Sequence, residues 1–543
     1  MANPVKKKTL STPPNKNLKA ISDSFDISER SVWAVLALAG AVIFYWLINS
    51  PRPYDDDSIN RYFMAQAALE KPDLFLSFWG RPLAILFFAL PAQAGYWYCA
   101  ALTALLTIGT CYFVYKAAVT AGFKSAWLAI VFTIAQPFFF ITSFSLCTEP
   151  LAAFLLAWGL FWFYRKSWIG AALVLSMVPL ARSELVLILP IFAWLLYKEK
   201  KYIPILLLGT GLVIYQIAGM IVTGDVLYLL SASKGFAAGL YANGPFDHYF
   251  QRFIFISGPI IFVFILLQLA HDVKNKEINV INFSVIVTLF THVYLYWKGN
   301  VAHAGFLRHF AAVSPVMALM ALQGYNVWSN NDTEKNRFFN AAVLTGITLL
   351  ILVYYSIELF GSFSIINPAT GKASPEYAKF LLALLLLFFF VLNKYLSIQN
   401  RETKLIMLVA VIAGSCWYTF SKEKPLQLSP EQQTVKNCYE YFNANVKNST
   451  QKTMVAHSWF FFYDNYNYYT KPDSGGPYVE MRREKLETLP VGGIVLWDSH
   501  YSWRLSSNVQ QEDLVNNPNF KLQQHFISND RRFAMYVFEK IKI

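Results

Sequence analysis

Charge is scarce in this chain. Asp, Glu, Lys and Arg make up 15% of its 543 residues, whereas hydrophobic residues make up 55% and aromatic ones 17%. With a mean hydropathy of +0.37, the composition excludes an ordinary soluble protein, and a bilayer must solvate much of the chain. Cysteine is scarcer still. Of the five, Cys99, Cys111, Cys147 and Cys416 lie in or beside apolar stretches and only Cys438 lies in polar sequence, so neither a disulfide framework nor a Cys-rich metal site is implied. A Gly-rich phosphate loop is missing, as is an internal repeat of the kind that marks many transporters.

What charge there is leans positive, with a formal net of +13. Its placement decides whether it serves nucleic acid, anionic lipid or topology. Lys6, Lys7, Lys8, Lys16 and Lys19 precede an apolar run that starts near Ser31, too far in and too long for a cleaved signal. Runs long enough to cross the hydrocarbon core recur near 31–49, 96–117, 125–144, 147–164, 168–182, 184–197, 202–222, 253–270, 279–297, 309–326, 338–359, 377–394 and 404–420, about thirteen crossings. With the N-terminus inside, Lys116 and Lys124, Arg165 and Lys166, Lys198 to Lys201, Lys274 and Lys276, Lys335 and Arg337, and Lys394, Arg401 and Lys404 all fall in cytoplasmic loops. Much of the positive charge is therefore topological, and no nucleic-acid partner is expected.

This topology divides the chain into a basic cytoplasmic tail at 1–30, a transmembrane part at 31–420 with a first outer loop at 50–95, and a polar part at 421–543. An odd number of crossings puts the last part outside. It opens with a capped helix start at Ser429-Pro430-Glu431 and carries strand-like runs at Met454–His457, Gly493–Trp497 and Phe533–Phe538, which predict a small α/β domain. The expected fold class is thus an α-helical polytopic membrane protein with a small C-terminal α/β extracytoplasmic domain.

Ionisable groups near membrane depth are costly and mark function by default, and nearly all of them gather toward the outer end. Asp55, Asp56 and Asp57 stand just past the first crossing, followed by Arg61 and Tyr62. They suit a solvated loop, or a site using carboxylate as base or metal ligand. Glu149, in Cys147-Thr-Glu-Pro150 at a tight outer turn, suits either a charge favoured by the helix dipole or the site. Arg182 and Glu184 at another turn either pair with each other or leave the arginine to hold a phosphate. Lys298, His303, Arg308 and His309 form a basic outer segment against the positive-inside tendency, which favours an anionic ligand. His292 and Glu358 read as structural. Val455-Ala-His457-Ser-Trp459 and Trp497-Asp498-Ser-His500 suit ordinary packing better than carbohydrate stacking, and Tyr466 to Tyr469 suit an interfacial aromatic belt. The sequon Asn448-Ser-Thr450 carries no functional weight.

In this arrangement the chain resembles the GT-C superfamily of lipid-phosphosugar-dependent glycosyltransferases, which includes protein O-mannosyltransferases, aminoarabinose transferases and arabinofuranosyltransferases. Asp55-Asp-Asp-Ser-Ile-Asn-Arg61-Tyr62, Gly80-Arg-Pro-Leu83 and Ala89-Leu-Pro-Ala-Gln-Ala-Gly95 look like the family's acidic first outer loop and the helix after it. Thr148-Glu149-Pro150-Leu151, Ala181-Arg182-Ser-Glu184 and Phe306-Leu-Arg308-His309-Phe310 look like three later segments. The third Asp, and Ser-Glu in place of the common Pro-Glu, depart from the family pattern.

The resemblance implies an inverting glycosyltransferase, hexosyl or pentosyl and of mannosyltransferase type, in a bacterial inner membrane. It would take a polyprenyl-phosphate sugar donor and transfer the sugar to a glycan, lipid or protein hydroxyl on the outer face. Asp56 is the expected base, with Asp55 next and Asp57 third. Arg182, Arg308 and His309, with Lys298 and Arg81 behind them, would stabilise the departing phosphate. Glu149 and Glu184 would position the acceptor or share a divalent ion, magnesium or manganese; family members differ in their need for a metal, and the resemblance leaves that open. A transporter, a lipid-linked glycan polymerase or ligase, and a noncatalytic scaffold with a sugar-sensing outer domain are the alternatives. Transport fits less well because its polar groups usually sit at the bilayer midplane.

Overall fold

The computed structural model describes residues 25–234, 243–276, 279–299, 305–329, 334–360, 365–366, 373–374, 387–388, 390–396, 401–447, 451–470, 476–504 and 507–542. Apolar sequence becomes helix between identifiable signals. The first helix, Glu29–Ile48, opens on Ser28, whose side chain accepts the Ser31 N–H at 3.2 Å, satisfying one of the orphan donors of the first turn. Among the described residues, Glu29–Ile48, Tyr96–Thr120, Leu307–Ser329 and Arg401–Lys422 are each long and apolar enough to cross a membrane. His248–Ser257 and Pro259–Asn275 add a fifth span if the bent pair is one. Together with shorter apolar helices at Pro82–Ala94, Trp168–Ala181 and Thr210–Thr223, they make a multi-pass helical membrane protein.

The thirteen expected runs do not map onto thirteen unbroken spans, and proline and glycine account for several of the breaks. The run at 125–144 splits into Leu128–Ile134 and Pro137–Thr142, because Pro137 has no N–H with which to continue the helix. At Gly258 the backbone takes φ of +82°, open to glycine without a Cβ clash, Pro259 follows, and the helix turns through 114°. The run at 377–394 lies largely outside the described residues.

Small residues let the helices approach. A Cβ on Gly324 would fall within contact distance of the Phe264 carbonyl, and one on Gly211 would meet the Ser176 carbonyl. At these two points backbone packs directly on backbone.

Two short strands, β1 (Ile365–Ile366) and β2 (Ala373–Ser374), form an antiparallel pair. The C-terminal part holds a five-stranded mixed sheet of β3 (Thr453–Val455), β4 (Tyr478–Glu480), β5 (Ile494–Asp498), β6 (Phe520–Ile527) and β7 (Ala534–Lys540), in the order β4-β3-β5-β7-β6. Parallel pairing joins β3 to β4 and β5; antiparallel pairing joins β7 to β5 and β6. The central β5 is buried along its whole length, as its run of Ile, Val, Leu and Trp requires. Helix Pro430–Asn445 packs on β6 and β7; it starts in a reciprocal capping box between Ser429 and Gln432.

This sheet-bearing part is fastened to the segment after the first helix. Trp46 donates to the Glu423 carbonyl at 2.8 Å, Arg52 to that of Gln427 at 2.5 Å, and the Leu426 N–H to Ser50 at 2.8 Å. Helix Ser458–Tyr463 packs on helix Asp56–Ala67, Asn467 donates to the Phe63 carbonyl at 2.8 Å, and the Tyr468 hydroxyl meets Asn60 at 2.5 Å. Tyr466 is buried and stacked on Phe461. The stretch expected as an aromatic belt therefore packs against protein.

Candidate active site

The aspartate triplet starts the helix Asp56–Ala67. Asp55 is its N-cap: one carboxylate oxygen accepts the Ser58 N–H at 2.9 Å and the Ser58 hydroxyl at 2.6 Å, which fixes how the next two carboxylates are splayed. They point to different partners. Asp56 receives the Trp459 indole N–H and the Tyr501 hydroxyl, both from the sheet-bearing part. Asp57 turns the other way, to Arg308 at 2.5 Å and Arg61 at 3.7 Å.

Arg308 is the hub. Its side chain is 5% exposed; one terminal nitrogen pairs with Asp55, the other with Asp57, and Nε lies 3.7 Å from Glu149. Glu149, buried on the first turn of helix Thr148–Tyr164, is also paired with Arg182 at 3.0 Å. Arg182 donates through Nε to Glu184 at 2.7 Å, and Glu184 lies 3.8 Å from Arg81. Arg81 also donates to Ser183 at 2.8 Å. An unbroken run of alternating charge therefore leads from Asp55 and Asp57 through Arg308, Glu149, Arg182 and Glu184 to Arg81. Ion pairs this dry persist only because each charge has a counter-charge.

Burial raises the pKa of Asp57 above the ordinary aspartate range, with Glu149 and Asp56 adding to it, while Arg61 pulls it down. Its side chain nevertheless remains 34% exposed, against 26% for Asp55, so Asp57 is the better exposed of the two aspartates bound to Arg308.

Eight of the ten residues singled out in the sequence meet in this cluster: Asp55, Asp56, Asp57, Arg81, Glu149, Arg182, Glu184 and Arg308. Lys298 lies apart, exposed, its ammonium 3.9 Å from the Trp297 ring. His309 packs against His292, tilted, and edge-on to Phe306 at centroid distances of 5.1 and 5.9 Å. His303 lies outside the described residues. The divalent ion considered for Glu149 and the aspartates would have to compete with Arg308, whose guanidinium already stands between those carboxylates.

Arg61, Trp459 and Tyr501 were not assigned roles in the sequence. Arg61 is 7% exposed; its Nε and Nη1 are buried without a hydrogen-bond partner among the described residues, and its guanidinium lies 5.2 Å from the Trp79 ring. The spacing of Arg61 four residues after Asp57, one helical turn, was the available signal. Nothing local marks Trp459 or Tyr501, which reach Asp56 from about four hundred residues along the chain.

The chain is a multi-pass helical membrane protein, and its fold is similar to that of ArnT. Two crystal structures of ArnT from Cupriavidus metallidurans, one in the apo state and one bound to undecaprenyl phosphate, each match with a TM-score of 0.53 at 9% sequence identity, covering 94% of this chain and 98% of that chain. Identity this low makes the likeness one of fold. No family model matches the chain, and no curated protein matches it.

Proposed function

We propose that the protein is an inverting glycosyltransferase that moves a sugar from a polyprenyl-phosphate donor to a hydroxyl acceptor at the membrane face opposite the cytoplasm. The observation that carries this is the meeting of Asp57 and Arg308 beside the unsatisfied donors of Arg61, on an ArnT-like fold. A reaction of this type needs a base for the acceptor hydroxyl and fixed cations for the departing phosphate; Asp57 and Arg61, one helical turn apart, with Arg308 beside them, offer both.

On this reading the base is Asp57 rather than Asp56, the residue expected from the sequence. Asp55 is committed to its cap and to Arg308, and Asp56 is held by two donors from the sheet-bearing part. Asp57 is also held, by Arg308 and Arg61, but it is the more exposed of the two aspartates on Arg308 and burial raises its pKa. It takes the acceptor's proton as the oxygen attacks the anomeric carbon from the face opposite the phosphate; the glycosidic bond to phosphate breaks, its electron pair leaves with the polyprenyl phosphate, and the configuration inverts. Arg61 and Arg308 bind the departing phosphate. Arg182 and Arg81, through Glu149 and Glu184, hold Arg308 in place. The C-terminal sheet covers the acceptor side, and the acceptor is a glycan, lipid or protein.

The test is transfer by purified protein in lipid, given a panel of radiolabelled polyprenyl-phosphate sugars and envelope extract, comparing wild type with Asp55→Asn, Asp56→Asn and Asp57→Asn. Loss of transfer confined to Asp57→Asn supports the assignment, and loss confined to Asp56→Asn returns the base to that residue. Absence of donor consumption by wild type, with a labelled solute accumulating in sealed vesicles instead, would sink the enzyme and favour transport.

A further inference from the structure

We infer that Glu431, His457 and His500 form a site for a zinc-class divalent cation beneath the residues that hold Asp56. One donor atom from each lies within 4.8 Å of the other two. Glu431 Oε1 is 3.0 Å from His457 Nε2 and 2.6 Å from His500 Nδ1. Among the described residues this is the cluster whose ligand atoms converge; the aspartate triplet does not.

The scaffold is set without help from a cation. Glu431 stands on the first turn of helix Pro430–Asn445, locked by the Ser429–Gln432 capping box. His457 follows β3 and is fully buried. His500 sits in the turn after β5, where Asp498 accepts the backbone N–H groups of His500 at 2.9 Å and Tyr501 at 2.6 Å. Two imidazole nitrogens and one carboxylate oxygen suit zinc rather than magnesium, and three protein ligands leave the fourth tetrahedral position to water. In the cation-free chain His457 Nδ1 receives the Trp459 N–H at 3.4 Å, which places a ring proton on Nε2, toward Glu431. Zinc takes the Nε2 lone pair as the neutral ring's proton moves from Nε2 to Nδ1, and this long contact is given up.

The site adjoins the catalytic cluster. Tyr501 stacks on His500 at a centroid distance of 4.1 Å, and Trp459 lies two residues beyond His457; these are the two donors to Asp56. A cation here would fix both, and would do so whether or not the cluster transfers sugar.

The experiment uses the full chain, purified without a polyhistidine tag, stripped with chelator and dialysed against zinc or cobalt. Expected are about one zinc per chain by elemental analysis and the visible absorption of tetrahedral cobalt. Both should be lost in His500→Ala and Glu431→Gln and kept in Asp55→Asn, with circular dichroism checking the fold. His500 is half-buried in a turn, so its variant serves even where His457→Ala does not fold. Zinc-free wild type, or His500→Ala that keeps full zinc and the cobalt spectrum, would overturn the inference. Because the readout is metal content, failure here leaves the transfer assay unaffected.

Discussion

Arg308 and Asp57, 251 positions apart in sequence, meet at 2.5 Å, and this pair ties the entry to helix Ser314–Ser329 to the first turn of helix Asp56–Ala67. Arg308 also faces Asp55 and Glu149. Its removal would leave three carboxylates short of a partner, one of them fully buried. Arg308→Ala should therefore lower transfer by about 10²–10³-fold, the scale for losing one preorganised charge donor. It should also destabilise the fold by about 3–5 kcal/mol, the cost of breaking a buried pair from one side. Arg308→Lys keeps the charge but not the fork that spans two aspartates, and should fall between wild type and Ala in both transfer rate and melting temperature. Equal activity of Ala and wild type would remove Arg308 from the mechanism.

Tyr501 offers a cleaner separation of activity from folding. Its hydroxyl reaches Asp56, while its ring stacks on His500, and Tyr501→Phe removes the first contact while sparing the second. A lost neutral-to-charged hydrogen bond is worth about 1.5–3 kcal/mol, so transfer should drop by about 10-fold or more if the contact orients the acceptor side. The melting temperature should change little. A large drop in melting temperature with unchanged transfer would make Tyr501 a fastener between the two parts of the chain and nothing more.

The sequence was most legible where one-dimensional signals carry the physics. Apolar length marked a multi-pass helical protein without fixing its spans, several of which are broken, and Ser429-Pro430-Glu431 marked a helix start that the capping box bears out. Ionisable groups expensive in a membrane pointed to eight residues that meet in space, although Lys298 followed the same rule and lies apart, exposed, beside Trp297. Strands β3, β5 and β7 were visible as β-branched and aromatic runs. β6 was not: Phe520–Ile527 reads Phe-Lys-Leu-Gln-Gln-His-Phe-Ile, mostly exposed, and an edge strand with this pattern resembles a polar loop. The division of labour among the three aspartates was invisible for another reason. It depends on Asp55 becoming an N-cap and on partners from Arg308 and Tyr501, contacts that span hundreds of residues and leave no local trace.

Gly324 tests the packing itself. It lies in helix Ser314–Ser329 where that helix crosses Pro259–Asn275, and a Cβ there would meet the Phe264 carbonyl. Backbone cannot swing aside as a side chain can. Gly324→Ala should cost about 1–3 kcal/mol, typical of overpacking, seen as a lower melting temperature in detergent. Gly346→Ala, where an added Cβ meets nothing within 4 Å, should be tolerated. If both variants melt together, the close approach of the two helices is wrong.

The pH dependence of transfer discriminates among the aspartates most directly. Burial raises the Asp57 pKa and Arg61 opposes it, and a base works only when deprotonated. The acid limb of kcat/KM should therefore lie above the ordinary aspartate range, with activity rising as pH rises through the Asp57 pKa. Arg61→Ala removes one of the opposing charges and should shift that limb to higher pH, in addition to any loss of phosphate binding. The stability term runs the other way. A carboxyl whose folded-state pKa is raised contributes stability that is complete below the unfolded pKa and lost as pH climbs through the folded one. Wild type should thus lose stability across the interval in which it gains activity, and Asp57→Asn should show neither trend. An acid limb that survives unchanged in residual Asp57→Asn activity, or that moves to lower pH in Arg61→Ala, would place the base elsewhere, with Asp56 the first residue to examine.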